Sequence, residues 1–136
     1  MTMPEVNPSL RLLKRNFCKG QVGGGIFNMT GANTRIIDST ISSNTGTSRG
    51  GGIFNSGGDV YLRNVTVWNN NGSSKSGAGI LNEGGGDIYM VHTTVAGNYI
   101  NANFIGAGIV NFNPSTLTLV NSIVADNRNA SGGRSA

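Results

Sequence analysis

Few residues of this chain have acid–base potential, and two of them recur in step: Asp59 and Asp87, each two residues before a tyrosine, Tyr61 and Tyr89. Stacked in adjacent turns of a repeating fold, they stand about one inter-strand spacing, ~4.8 Å, apart. Two carboxylates that close repel unless a cation or a shared proton intervenes. Such a cluster is what a calcium-assisted or acid–base polysaccharide-cleaving site uses. Glu83, just after Asn82, can join them. The equivalent positions in the neighbouring repeats are Ala32 or Asn33 and Ser115, and no Arg or Lys shares the corner. Aspartate is also a turn residue in its own right, so two solvated turn aspartates are the primary expectation and no catalytic residue is assigned. His92 is the lone histidine. Without a second His, a Cys or an activated Ser beside it, it points to neither a metal nor a nucleophile site. A corner hydrogen bond is its expected role, with a pH-sensitive contact as the alternative. Cys18, the single cysteine, excludes an internal disulfide and a cysteine-based metal cluster. No cofactor and no metal are expected.

These side chains are carried by a repeat. Gly23-Gly-Gly-Ile-Phe-Asn28, Gly50-Gly-Gly-Ile-Phe-Asn55, Gly77-Ala-Gly-Ile-Leu-Asn82 and Gly106-Ala-Gly-Ile-Val-Asn111 start 27, 27 and 29 residues apart, a period of stacked structural units. After each comes an alternating segment, Thr34-Arg-Ile36, Val60-Tyr-Leu62, Ile88-Tyr-Met90 or Leu117-Thr-Leu119. A polar residue follows (Asp38, Asn64, His92, Asn121), then a short segment holding Ile41, Val67, Val95 or Val124, and an asparagine closes the unit (Asn44, Asn70, Asn98, Asn127). Three short strands per period, with no sustained helical spacing inside the repeats, wind into a triangular parallel β-helix of about four full coils. The units are 23–49, 50–76, 77–105 and 106–127, between a basic arm (1–22) and a tail (128–136).

In that winding Ile26, Ile53, Ile80 and Ile109 form one interior column. Ile36, Leu62, Met90 and Leu119 form a second, and Ile41, Val67, Val95 and Val124 a third. Asn28, Asn55, Asn82 and Asn111, like Asn44, Asn70, Asn98 and Asn127, become corner ladders bonded from coil to coil. Outward columns are where function resides. Strict alternation places Phe27, Phe54, Leu81 and Val110 outside, yet all are apolar, and a strand apolar on both faces is usually covered on both. The arm or another subunit is expected to lie on them, which makes them the candidate interface. Arg35, Tyr61, Tyr89 and Thr118 form a mixed solvent face or a sugar-stacking platform. Trp68 projects beside Ser42 and Ala96, and Thr40, Thr66 and Thr94 stack with Ser122.

Composition bounds the partners. Charged residues are only 12% of the chain, about half the usual share, while Gly is plentiful at 22 residues. Of the net charge of +4, residues 1–22 supply +3 through Arg11, Lys14, Arg15 and Lys19 against Glu5. The repeats are nearly neutral and lack the basic stripe that nucleic acid requires. No segment approaches the ~20 apolar residues of a membrane-spanning helix. No apolar run of the signal-peptide kind follows the N-terminal basic residues, so the expected location is the cytoplasm by default. Ends of a solenoid expose strand edges and interior. Leu10, Leu13 and Phe17 lie at helical spacing behind Ser9, which suggests a cap helix over residues 9–17. The alternative is a degenerate strand, because Asn16 precedes Gly23 by seven residues as Asn70 precedes Gly77. The tail offers no apolar lid, so a homo-oligomer is expected.

The unit Gly-Gly-Gly-Ile-Phe-Asn followed by Val-Tyr-Leu-Arg-Asn-Val-Thr-Val-Trp-Asn-Asn resembles the repeat of bacterial right-handed parallel β-helix proteins over residues 23–127. These are the pectate-lyase-like superfamily, and more closely surface and secreted proteins with polymorphic-outer-membrane-protein-type repeats. The resemblance implies right-handed coiling and an extracellular, adhesive or carbohydrate-facing role. Two functions are therefore carried forward. One is a non-catalytic structural or binding module that self-associates, with carbohydrate as the candidate ligand. The other is a minimal or degenerate carbohydrate-active enzyme at the Asp59/Asp87 corner.

Overall fold

The computed structural model describes residues 23–72, 77–101 and 106–132, together with the backbone of short strands at Leu12–Lys14, Phe17–Cys18 and Arg134–Ser135. All regular structure among them is β, wound as a parallel solenoid with three sheets along its length. The first sheet stacks Ile26–Met29, Ile53–Ser56, Ile80–Glu83 and Ile109–Asn111. Three complete turns separate its first rung from its last, slightly fewer than the four full coils expected. The second sheet contains the long strands Asn33–Ser42 and Asp59–Trp68, continued by Asp87–Val91 with Thr94–Ala96 and then Thr116–Val120 with Ile123–Ala125. The third is built of two- and three-residue strands at Phe17–Cys18, Thr45–Gly46, Asn71–Gly72, Tyr99–Ile100, Asn127–Asn129 and Arg134–Ser135.

Left-handed backbone makes the corners. Asp38, Asn64, His92 and Asn121, at φ of 49°, 53°, 49° and 47°, bend the second sheet at the same level of each coil. This conformation costs an ordinary L-residue about 1–2 kcal/mol and is tolerated best by Asn, Asp and His. That is why a histidine can stand in an Asp/Asn column. A second corner is turned by Ser43, Asn69, Gly97 and Asp126, and a third by Gly50, Gly77 and Gly106, all at positive φ.

The interior follows the expected columns in register. Ile26, Ile53, Ile80 and Ile109 pair rung to rung, as do Ile36, Leu62, Met90 and Leu119, and Ile41, Val67, Val95 and Val124. Apart from Leu119 they form, with Val60, Val65 and Ile88, one continuous core. The last members differ. Leu119 points inward yet is 41% exposed, because no described strand follows it in its sheet.

Two asparagine ladders run through the corners. In one, Asn28 Nδ2 donates to Asn55 Oδ1 at 2.8 Å, Asn55 to Asn82 at 2.8 Å, and Asn82 to Asn111 at 2.7 Å. In the other, Asn44 donates to Asn70, Asn70 to Asn98 and Asn98 to Asn127, at 3.0, 3.0 and 2.9 Å. Every one of these bonds runs the same way, towards the C-terminal coil. Each amide also serves backbone: Asn70 Nδ2 donates to Ile41 O, and Asn70 Oδ1 accepts the Asn44 N–H. The third glycine of the motif makes room for this ladder. A Cβ on Gly79 would lie 2.5 Å from Gly108 O and 2.9 Å from Asn98 Nδ2, closer than atoms pack.

At the N-terminal end the described backbone corrects the cap helix. Leu12–Lys14 pairs in parallel with Thr40–Ser42, and Phe17–Cys18 with Thr45–Gly46. The degenerate-strand alternative therefore describes these residues; Ser9, Leu10 and residues 11, 15 and 16 lie outside the described set. Physically, the first coil's open strand edges recruit the chain before it, since ladder bonds satisfy backbone groups there. At the other end Arg134–Ser135 returns antiparallel along Asn127–Asn129.

Asn70→Ala is expected to destabilise the fold by at least ~3 kcal/mol in urea denaturation, because it strips partners from several buried polar groups at ~1–3 kcal/mol each. Asn70→Asp, equal in size, is expected to be no milder at neutral pH, since it sets an acceptor against Ile41 O and Asn98 Oδ1.

Candidate functional site

The outer face of the second sheet, before its bend, presents two side-chain columns. Asn33 pairs with Asp59, and Asp87 with Thr116; beside them run Arg35, Tyr61, Tyr89 and Thr118. Alternation forces these outward because their neighbours Val60, Leu62, Ile88 and Met90 are all buried. The rings of Tyr61 and Tyr89 stack with centroids 5.7 Å apart and planes within 6°. The Arg35 guanidinium carbon lies 5.3 Å from the Tyr61 centroid, a cation–π distance. Arg35 Nε is buried without a hydrogen-bond partner among the described residues. A groove of about 430 Å³ opens here, lined by Tyr61, Asp87, Ile88, Tyr89, Thr116 and Thr118.

Asp59 and Asp87 do stack, but not as two free carboxylates. Asp59 Oδ1 accepts the Asp87 backbone N–H at 3.3 Å, a bond from one coil to the next at the start of neighbouring strands. The fourth rung of this column is Thr116, not Ser115. Ser115 is turned inward, where its hydroxyl accepts the Gly85 N–H at 3.1 Å. Glu83 is engaged elsewhere: it forms an ion pair with Arg49 across the edge of the first sheet. His92 is exposed on its corner, while the equivalent corner of the preceding coils is bridged by Asn64 Nδ2 donating to Asp38 Oδ1 at 2.9 Å. Among the described residues no three His, Cys, Asp or Glu side chains gather as a metal site would require. The Cys18 side chain lies outside that set. Among the described residues no helix is long and apolar enough to cross a membrane.

The apolar column of the first sheet is largely occupied from within the chain. Phe27 and Phe54 stack at 4.9 Å, and Arg49 lies over the Phe54 ring at 5.6 Å on its way to Glu83. Phe54 and Leu81 are only 2% and 1% exposed, Val110 is half-buried, and Phe27 at 40% is the open end. Most of the stripe is thus not the bare surface that alternation alone implies. Over Phe54 the ion-paired Arg49 side chain supplies cover, a contact set by loop geometry that a period of residues does not reveal. The threonine column also changes: Thr40, Thr66 and Thr94 continue into Ile123, one residue past Ser122. Ser122 instead bonds the Thr93 N–H at 3.1 Å. Trp68 is 50% exposed, in register with Ser42 and Ala96, and lies across Gly97, where an added Cβ would meet its Nε1 at 2.9 Å.

Sequence reasoning placed Arg35, Tyr61, Tyr89 and Thr118 in one outward column and Asp59 and Asp87 two residues before the tyrosines, because residues at the same offset in successive units are neighbours. It did not find the buried, unpartnered Nε of Arg35 or the groove beside the rings, which depend on how the side chains lie across the face. Comparison with protein-family models, with curated proteins and with solved structures finds no match to this chain.

Arg49→Ala is expected to uncover Phe54. Its stability cost is small, up to ~1 kcal/mol, because the pair is part-exposed, but binding of an apolar dye should rise over the wild type. Equal dye binding in the two proteins would show that Arg49 does not shield the ring.

Proposed function

We propose that the chain is a non-catalytic β-solenoid module, structural and binding in role, that self-associates and takes carbohydrate on the outer face of its second sheet. The observation that carries the binding part is the line Arg35–Tyr61–Tyr89, two parallel rings and a cation flanking a groove rimmed by Asp87, Thr116 and Thr118. Flat rings at this spacing offer CH-rich sugar faces an apolar platform, while the hydroxyl and carboxylate groups beside them orient sugar hydroxyls. The non-catalytic part is supported by how the carboxylates are used: Asp59 is bonded to the Asp87 backbone and Glu83 to Arg49, so among the described residues no paired acid and base converge on the groove.

The repeat's resemblance supports finer points of the same reading: a right-handed, pectate-lyase-like coil of bacterial type, working in an extracellular or surface setting. The second reading is a minimal or degenerate lyase or glycosidase, favoured by the position of Asp87 on the groove wall.

Calorimetric titration with a panel of neutral and acidic oligosaccharides is the deciding measurement. Saturable binding is expected, weakened about tenfold by Tyr61→Ala or Tyr89→Ala, the ~1.4 kcal/mol scale of a lost stacking contact. No binding across the panel would leave a purely structural module. Cleavage of a bound oligosaccharide that disappears in Asp87→Ala would instead establish the enzyme.

A further inference from the structure

The stacked tyrosines are open on one side. Tyr61 and Tyr89 cover each other, with ring planes within 6° and centroids 5.7 Å apart. The other face of Tyr61 is taken by Arg35, whose guanidinium carbon lies 5.3 Å from the ring centroid. That leaves the far face of Tyr89, which looks towards the fourth coil. The residue in register there is Thr118, too short to reach across a ring. The groove lies beside this ring face, with Asp87, Thr116 and Thr118 around it. Its lining residues all belong to the second, third and fourth coils, so the site does not depend on what lies beyond the fourth.

Charge around the open ring face is one-sided. Asp87 is exposed on the groove wall and forms no ion pair among the described residues. Asp59 stands one coil away in the same column, its Oδ1 bonded to the Asp87 N–H. The cations of this sheet are farther off, and neither lines the groove. Arg35 is two rungs from Tyr89, roughly 10 Å at the inter-strand spacing, with the Tyr61 ring between. Arg63 is exposed and pairs with Val91, four residues along the strand from Asp87, which is about 13 Å at ~3.3 Å per residue. That separation exceeds the Debye length of about 8–10 Å in physiological salt. His92 lies farther along the same strand direction, at the corner.

These positions discriminate between classes of sugar. An acidic sugar in the groove faces Asp87 with no cation on the wall to meet it. A neutral sugar stacks on Tyr89 and leaves the carboxylate unpaired. A protonated amine uses both groups: the negative face of the ring attracts it, and Asp87 supplies the opposite charge. The order along the column is cation, ring, ring, groove, and a cation in the groove repeats at Tyr89 the contact that Arg35 makes at Tyr61.

We propose that the groove selects an amino sugar, an oligosaccharide whose free ammonium group sits over Tyr89 against Asp87 while Thr116 and Thr118 take its hydroxyls. This rests on the carbohydrate reading above and names the class of sugar. A volume of about 430 Å³ lies at the lower end of the roughly 300–1,000 Å³ range of small-molecule sites, a size for a short stretch of sugar and not for a folded partner.

Calorimetry with a β-1,4-linked glucosamine oligomer and a cello-oligosaccharide of the same length tests it, in mildly acidic buffer that keeps the amines protonated. The two ligands differ by an ammonium in place of a hydroxyl on each ring. The wild type is expected to bind the amino form about tenfold more tightly, and added salt should shrink that preference. Asp87→Asn is expected to bring the affinity for the amino form down to that for the neutral one. Asp38→Asn, which removes the same charge from a corner of the first coil, should leave the preference intact. Equal affinity for the two sugars, or a preference that survives Asp87→Asn, overturns the amino-sugar assignment while the carbohydrate reading stands. Trilysine binding as tightly as the amino oligomer overturns it in favour of a site for basic peptides. No binding by either sugar or by the panel above overturns both this assignment and the carbohydrate reading.

Discussion

Buried side-chain amides hold this solenoid in register. An asparagine in a dry interior is costly unless each of its hydrogen-bonding groups is met. Here the requirement is met only if each coil sits directly over the last. In the closing ladder, Asn70 accepts from the backbone and side chain of Asn44 and donates to Ile41 O and Asn98 Oδ1, so a one-residue slip anywhere would orphan several buried groups at once. Apolar columns of Ile, Val and Leu tolerate sliding better, because dispersion contacts are not directional. The core drives the stacking and the amides choose its register.

That constraint reaches the glycines and the corners. The ladder amide lies where a Cβ of the motif's third glycine would be, so side-chain packing and backbone curvature are solved together at that corner. The left-handed residues before each closing asparagine, Ser43, Asn69, Gly97 and Asp126, aim the amide inward. The corner that bends the second sheet uses the same conformation with residues free to be Asp, Asn or His. Corner chemistry in this fold is therefore backbone chemistry first, which explains why a lone histidine can occupy an Asp/Asn corner without belonging to a catalytic set.

Outer faces are left free to vary, and they do. Two tyrosines line a groove with an arginine beside them, a tryptophan lies over a glycine at the far end of the same sheet, and an ion pair straps the phenylalanine column. None of these contributes to register. Placed on a rigid, regularly spaced scaffold, they inherit fixed separations close to the inter-strand distance, which suits recognition of an extended ligand more than assembly of a compact active site.

The all-β repeating fold, its interior columns and both asparagine ladders were legible in the sequence, because a parallel stack places residues one period apart in contact and therefore turns identity at a fixed spacing into a contact map. Asp59 beside Asp87 and Tyr61 beside Tyr89 were legible for the same reason. What the period could not reach is whatever breaks it. The strand pairing of residues 12–14, the replacement of Ser122 by Ile123 in the threonine column and of Ser115 by Thr116 beside Asp87 depend on loop lengths between strands. The cover over Phe54 and the diversion of Glu83 to Arg49 depend on side chains reaching across coils. Exposure of Leu119 depends on where a stack ends, since an inward direction is a property of the strand but burial requires another layer above it. Local pattern determined which way each side chain points, and only the tertiary structure decided what it meets there.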